Sequence, residues 1–371
     1  MRSGGKRPYL LVAAVLVSAL SMIGAGVPAA HAAGVKSVLR VSGPGHVIDE
    51  HTTRITITWK TQAGQGIAGA PVRLYNQVKG ADGWHFEKTL VTNASGVASI
   101  VVRPRYDGSW KATAAAVPGV LAATSNVYKI DNLPPGKPVH LPKGAPRPKR
   151  HPPAQPRATG TGAHPVITKI PNDVWKSMVG KTWHSGCPVG RSGLRLLRIN
   201  YWDYSGYRRR GEIVANKDAI GKMKNALVAM YKGRYPIRSM YREDRWGYSK
   251  KLHGANDYAS MEAGNTSAFN CRQVVGRPGV LSPHSTGRSL DVNTWENPYR
   301  SQQGVFPDRW WMSHSHPRVA WRSSKHAVVK IMRKAGLTWT YGLGDTQHFD
   351  VPVNGRPVAP AGCGADPVSC H

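Results

Sequence analysis

The sequence predicts two folded units of different class: an all-β sandwich over residues 33–130 and an α+β domain over residues 166–371, joined by a linker at 131–165. Three observations carry this. From Val35 to Ile130 apolar and polar residues alternate in short runs broken by turn residues. From Asp131 to Pro165 that alternation gives way to proline, lysine, arginine and histidine. After Val166 the aromatic density rises and helical periodicity appears. At 371 residues the chain is long enough for two such units, each with its own core.

Taken in order, Met1 to Arg7 is short and basic, and Leu10 to Met22 is an apolar run too short to cross a bilayer comfortably. Ala30-His31-Ala32 then has the small-x-small pattern of a cleavage site, so residues 1–32 read as a secretory signal peptide. No later stretch is apolar for long enough to span a membrane, and the mature chain is expected outside the cell, associated with the wall. Fifty-one Lys plus Arg against 20 Asp plus Glu leave a net charge of +31, a field that attracts polyanions. For an exported protein the expected polyanion is an anionic wall polymer. A specific nucleic-acid partner is not expected, because no helix interleaves arginines with aromatics in the way nucleic-acid modules do.

Arg54-Ile-Thr-Ile-Thr-Trp59 is a period-two strand, followed by Val72 to Tyr75, a turn at Gly80 to Gly83, and Trp84 to Val91. Asn93-Ala-Ser-Gly96 is another turn, and Val97 to Val102 and Ser109 to Ala116 complete a small antiparallel sandwich. In Gly69 to Leu74 and Thr92 to Gly96 the sequence resembles the immunoglobulin-like modules of bacterial exported proteins, which implies a fold and no particular ligand. The linker reads as a semi-extended tether that buries little, with Pro146 to Pro153 as the basic tract offered to anionic polymers. In the second unit Asp218 is expected to cap a helix with Ile220, Met223, Leu227 and Met230 on one face, ending near Gly233. Tyr235 to Met240 reads as a strand, Ser324 to Ala335 as a helix, and Leu337 to Tyr341 as a strand. The four cysteines suit an oxidising compartment. Three pairings are possible, and spacing favours Cys363 with Cys370, leaving Cys187 with Cys271.

The chemistry concentrates in Ser282 to Asp291 and in Asp345-Thr-Gln-His348. An imidazole and a carboxylate stand seven positions apart, and a second imidazole follows downstream with its own carboxylate three residues before it. A catalytic zinc takes three such ligands and leaves a position for water, whose proton a nearby carboxylate can accept. His284, Asp291 and His348 are therefore the expected metal ligands, and Asp345 the expected base. Gly287 stands where the chain must bend to bring His284 and Asp291 together. Ser313-His-Ser-His-Pro317 reads as a solvated loop, Trp310, Trp311 and Trp321 as packing, and Ser282 and Ser285 lack a Gly-x-Ser-x-Gly elbow. Asp350 is placed to share His348's face and orient its ring.

Asn265 to Arg272, Ser282 to Asn293, Glu296 to Tyr299 and Asp345 to Asp350 together resemble the D-alanyl-D-alanine carboxypeptidase-like zinc peptidases. The resemblance covers about the last half of the chain. It implies a zinc peptidase domain with a central antiparallel sheet flanked by helices, one zinc ion, and hydrolysis of peptide bonds in peptidoglycan stem peptides. By position it implies His284, Asp291 and His348 as zinc ligands, Asp345 as general base and Arg272 as the cation that meets substrate. Ser289 stands where a small alanine is common, and the base is Asp where several relatives carry Glu. An endopeptidase cutting between L-Ala and D-Glu, and a zinc-stabilised wall binder without turnover, are the alternatives.

Overall fold

The computed structural model describes residues 34–274, 277–301 and 303–356. The expected signal peptide and the expected Cys363–Cys370 pair lie outside the described residues. Among those described, no helix is long and apolar enough to cross a membrane.

The first unit is a β-sandwich. One sheet orders β1 (Ser37–Ser42), β3 (Thr53–Thr61) and β6 (Val97–Val102). The other orders β2 (His46–Ile48), β9 (Tyr128–Leu133), β7 (Gly108–Ala114), β4 (Pro71–Val78) and β5 (His85–Val91), with β8 (Ala123–Thr124) beside β7. Two sheets over one core make the sandwich architecture that the alternation predicts. Alternation directs Ile55, Ile57 and Trp59 of β3 and Val72 and Leu74 of β4 into one core, where all five are fully buried. Burial of each such side chain contributes about 1.5–3 kcal/mol. The sandwich is not wholly antiparallel: β2 runs parallel to β9, with His46 opposite Asp131. That pairing joins the two ends of the unit, which no local alternation encodes.

The linker departs from the expected tether. Its backbone is extended, yet Gln155, Ala158 and Ala163 are buried. Gln155 Nε2 donates to Met240 O at 2.7 Å, and Gln155 Oε1 accepts from Met240 N at 2.8 Å and from the Tyr201 hydroxyl at 2.7 Å. Trp295 Nε1 donates to Pro146 O, and Arg150 pairs with Glu262. Composition hid this because the surface buried belongs to the next unit, against which an extended backbone can bond without a core of its own.

The second unit is built on a three-stranded antiparallel sheet of β10 (Val166–Lys169), β11 (Leu194–Trp202) and β12 (Arg208–Asn216). Helix α1 (Asn172–Met178) precedes the β11–β12 hairpin. Helix α2 (Ile220–Lys232) buries Ile220, Met223, Leu227 and Met230 at helical spacing, shares a core with α4 (Ala327–Lys334), and ends at Gly233 as expected. The short helix α3 (Asp257–Glu262) lies between them in sequence. Asp218 does not cap α2. Its backbone N–H is taken by Asn216 Oδ1 and its carboxylate turns out to Arg288, so Ala219 occupies the cap. Neither Tyr235–Met240 nor Leu337–Tyr341 forms a strand: each makes a single bridge, Ser239 with Asn265 and Thr338 with Asp350. Alternation alone does not supply a neighbouring strand to complete a ladder. Helix α4 begins at Ala327 with the His326 ring as cap, three residues after the expected start.

Candidate metal centre

The site is a two-stranded ribbon with a turn beside it. Ser289–Asp291 pairs antiparallel with His348–Asp350 in the register Ser289 to Asp350, Leu290 to Phe349 and Asp291 to His348. Leu290 and Phe349 point into the α2–α4 core, so the period of two puts Ser289, Asp291, His348 and Asp350 together on the opposite face. A slip of one residue would send the polar set into the core, which pins the register. Before the ribbon, Pro283–Thr286 forms a tight turn, and Gly287 follows with φ +68°. A Cβ at Gly287 would lie 2.7 Å from Asn216 N. Only glycine lets the turn fold back there and set His284 over Asp291.

The structure brings His284, Asp291 and His348 together in a buried cluster. His284 Nε2 is 3.2 Å from Asp291 Oδ2 and 3.2 Å from His348 Nδ1, and His348 Nδ1 is 3.1 Å from Asp291 Oδ1. His284 Nδ1 lies 2.7 Å from Ala268 O, so that nitrogen carries the proton and Nε2 offers its lone pair to the cluster. A tetrahedral zinc with bonds of about 2.0–2.2 Å holds its ligand atoms about 3.3–3.6 Å apart. Two imidazoles and a carboxylate, already gathered to about that separation, fit such an ion. Burial alone would raise Asp291, but the two rings outweigh it and hold its carboxyl well below the usual range. Burial alone would lower His348, but Asp350 and Asp291 outweigh it and hold its pKa well above the usual imidazole value.

Asp350 occupies the place expected of it. Its Oδ1 lies 2.9 Å from His348 Nε2 and accepts from Ser289 Oγ at 2.6 Å, and its Oδ2 accepts from Thr340 Oγ1 at 2.6 Å. Ser289 therefore anchors the carboxylate that orients His348, a role its position in sequence did not reveal. Asp345 is buried next to the cluster. Burial first, and the charge of Asp291 second, hold its carboxyl well above the usual range, against the opposing pull of His348, the Gln347 backbone and Arg272. Arg272 is buried as well, and its Nη2 lies 2.8 Å from Asp257 Oδ2. Asp257 was missed because nothing around it repeats a metal or nucleophile motif; a carboxylate directly after a helix-capping Asn256 was the one available signal.

The remaining candidates are structural. Ser282 caps the His284 turn, and Ser285 Oγ donates to Arg272 O. Trp311 and Trp321 are fully buried, Trp310 stacks on His314 at 3.5 Å, and His316 accepts from Arg318 N. Cys187 and Cys271 form a disulfide, the pair left over by the expected Cys363–Cys370 loop.

The chain is thus a β-sandwich followed by a small α+β unit that carries a buried His-Asp-His cluster able to hold a metal ion. Residues 275–351 match the sequence model of a peptidase family described as D-alanyl-D-alanine carboxypeptidase. The matched stretch contains His284, Asp291, Asp345 and His348, and Arg272 lies just ahead of it. No curated protein matches the chain. Among solved structures, the solution NMR structure of a CARDB domain from Pyrococcus furiosus is similar at 16% identity and a TM-score of 0.20, covering 26% of this chain and 93% of that one. So slight a likeness carries no argument about this chain.

Proposed function

We propose that this is an exported, wall-associated, zinc-dependent peptidase that hydrolyses peptide bonds in peptidoglycan stem peptides, of the D-alanyl-D-alanine carboxypeptidase type. The observation that supports it most is the buried cluster of His284 Nε2, Asp291 and His348 Nδ1, within 3.1–3.2 Å of one another and inside the stretch matched by the peptidase family. These three residues would hold the zinc. The ion supplies Lewis acidity toward a carbonyl and acidifies water near neutral pH.

The chain's own groups do the rest. Asp345 accepts a proton from the attacking water and returns it to the leaving amine, a transfer worth about 10²–10⁴ in rate. Burial first and the charge of Asp291 second hold the Asp345 carboxyl up, and a cation held by Asp291 would offset the second of these. Asp350 keeps the His348 ring oriented with Nδ1 toward the cluster. Arg272 meets the carbonyl oxygen as charge develops there. The basic segment from Pro146 to Pro153 draws the protein to anionic wall polymers.

The test is mass spectrometry of defined stem peptides incubated with the mature chain, with chelator, and with zinc restored. Zinc-dependent loss of a single terminal alanine is the expected result. An internal cut would make the protein an endopeptidase. A zinc-loaded chain that cleaves no stem would make it a wall binder without turnover.

A further inference from the structure

Arg272 is anchored at its backbone to the metal turn. Its carbonyl accepts from Ser282 N at 2.9 Å and from Ser285 Oγ at 3.1 Å, on either side of His284. The preceding Cys271 is tied to Cys187, so its Cα is held relative to the cluster. Its side chain is only 4% exposed, and a cation buried that deeply needs a counter-charge. Asp257 on α3 supplies it at 2.8 Å. That separation is the one at which a guanidinium N–H and a carboxylate oxygen form a charge-assisted pair. Nη1 donates to Gln273 O at 3.1 Å, while Nε has no partner among the described residues. A buried N–H left unpaired costs free energy until an acceptor reaches it.

Asp257 is itself held in place. Asn256 Oδ1 accepts from Ala259 N and caps α3, while Ser260 Oγ donates to Glu243 Oε1 at 2.5 Å and accepts from Asn265 Nδ2 at 3.1 Å. The carboxylate is therefore presented by a short helix tied to its surroundings by polar contacts.

We propose that Asp257 is the positioning residue for Arg272: it compensates the guanidinium at Nη2, and so leaves Nε–H for an oxygen acceptor of the substrate peptide. This rests on the peptidase reading above and names a residue that reading does not require. Because the Arg272–Asp257 pair is neutral as a unit, the acceptor it suits is a peptide carbonyl that gains charge during reaction.

The experiment is a double-mutant cycle of Asp257→Asn and Arg272→Gln in the full mature chain, with Asp257→Glu as the conservative control. Thermal melts and zinc content are measured on every variant. The cycle is read in kcat/KM on a defined stem peptide and, separately, in the affinity of the metal-free chain for that peptide. Asp257→Asn is expected to lower kcat/KM about 30-fold or more, a loss of the size that follows removal of one partner of a buried charge pair. In the Arg272→Gln background the same change should cost less than about twofold, because its effect passes through Arg272. Asp257→Glu should recover most of the loss. Losses that multiply, or an Asp257→Asn chain within about twofold of wild type in both readouts, would overturn the proposal. A wild type without turnover would remove the peptidase reading and leave the pairing to be scored in binding, where absence of coupling or of any peptide binding also overturns it.

Discussion

Replacing Asp350 by asparagine removes a charge while keeping the shape of the side chain. Asp350 accepts three hydrogen bonds in the folded protein, from His348 Nε2 at 2.9 Å, Ser289 Oγ at 2.6 Å and Thr340 Oγ1 at 2.6 Å. Asparagine retains one acceptor oxygen for His348 and Ser289, and Thr340 can turn its hydroxyl to accept from the new amide, so the packing survives. What is lost is the charged acceptor that fixes the His348 ring and raises its basicity toward a metal. Such a loss costs about 10- to 100-fold in metal affinity, or about 1.4–2.7 kcal/mol. Ser289→Ala removes one of the three anchors and is expected to cost up to about tenfold, the worth of one hydrogen bond to a charged group at its lower end. Both follow from zinc competition against a chromophoric chelator of known affinity, with the metal-free melting temperature as the control for folding. A folded Asp350→Asn chain that binds zinc within about twofold of wild type would refute the assigned role of Asp350.

Three further outcomes are expected. Asp345→Asn should retain zinc and lose about 10²–10⁴ in turnover, read as metal content beside peptide hydrolysis; a variant that keeps its activity would remove Asp345 as the base. Gln155→Ala deletes three buried hydrogen bonds, two to the Met240 backbone and one to Tyr201, and should cost about 2–4 kcal/mol in urea denaturation; a change under about 0.5 kcal/mol would return residues 131–165 to a free tether. Glu243 is pushed from 4.5 up to about 8, by burial first and the charge of Asp257 second, against hydrogen bonds from Ser260, Ser267 and Asn265. The folded chain thus keeps a proton that the unfolded chain releases, so stability should decline from about pH 4.5 to about pH 8, by at most about 1.4 kcal/mol per unit. Glu243→Gln should flatten that decline in melts taken across the window, and parallel curves for the two proteins would count against it.

Residue pattern alone marks the parts and much of their local form. Alternation in Arg54 to Trp59 marked a strand whose Ile55, Ile57 and Trp59 are core, and the spacing of Ile220, Met223, Leu227 and Met230 marked α2, because both periods follow directly from backbone geometry. The hairpin of β11 and β12 was legible and overlooked: Leu194 to Trp202 is a long apolar-rich run, and Asp203-Tyr-Ser-Gly206 is its turn. The candidate ligands could be named from residue type and spacing, and His284, Asp291 and His348 do meet. Where separate segments lie against one another is set by long-range packing. The parallel pairing of β2 with β9, the burial of Gln155 and the contact of Asp257 with Arg272 each join residues that no local period relates. Such contacts depend on the three-dimensional path between distant segments, and a carboxylate or an amide in isolation carries no mark of the partner that path will bring to it.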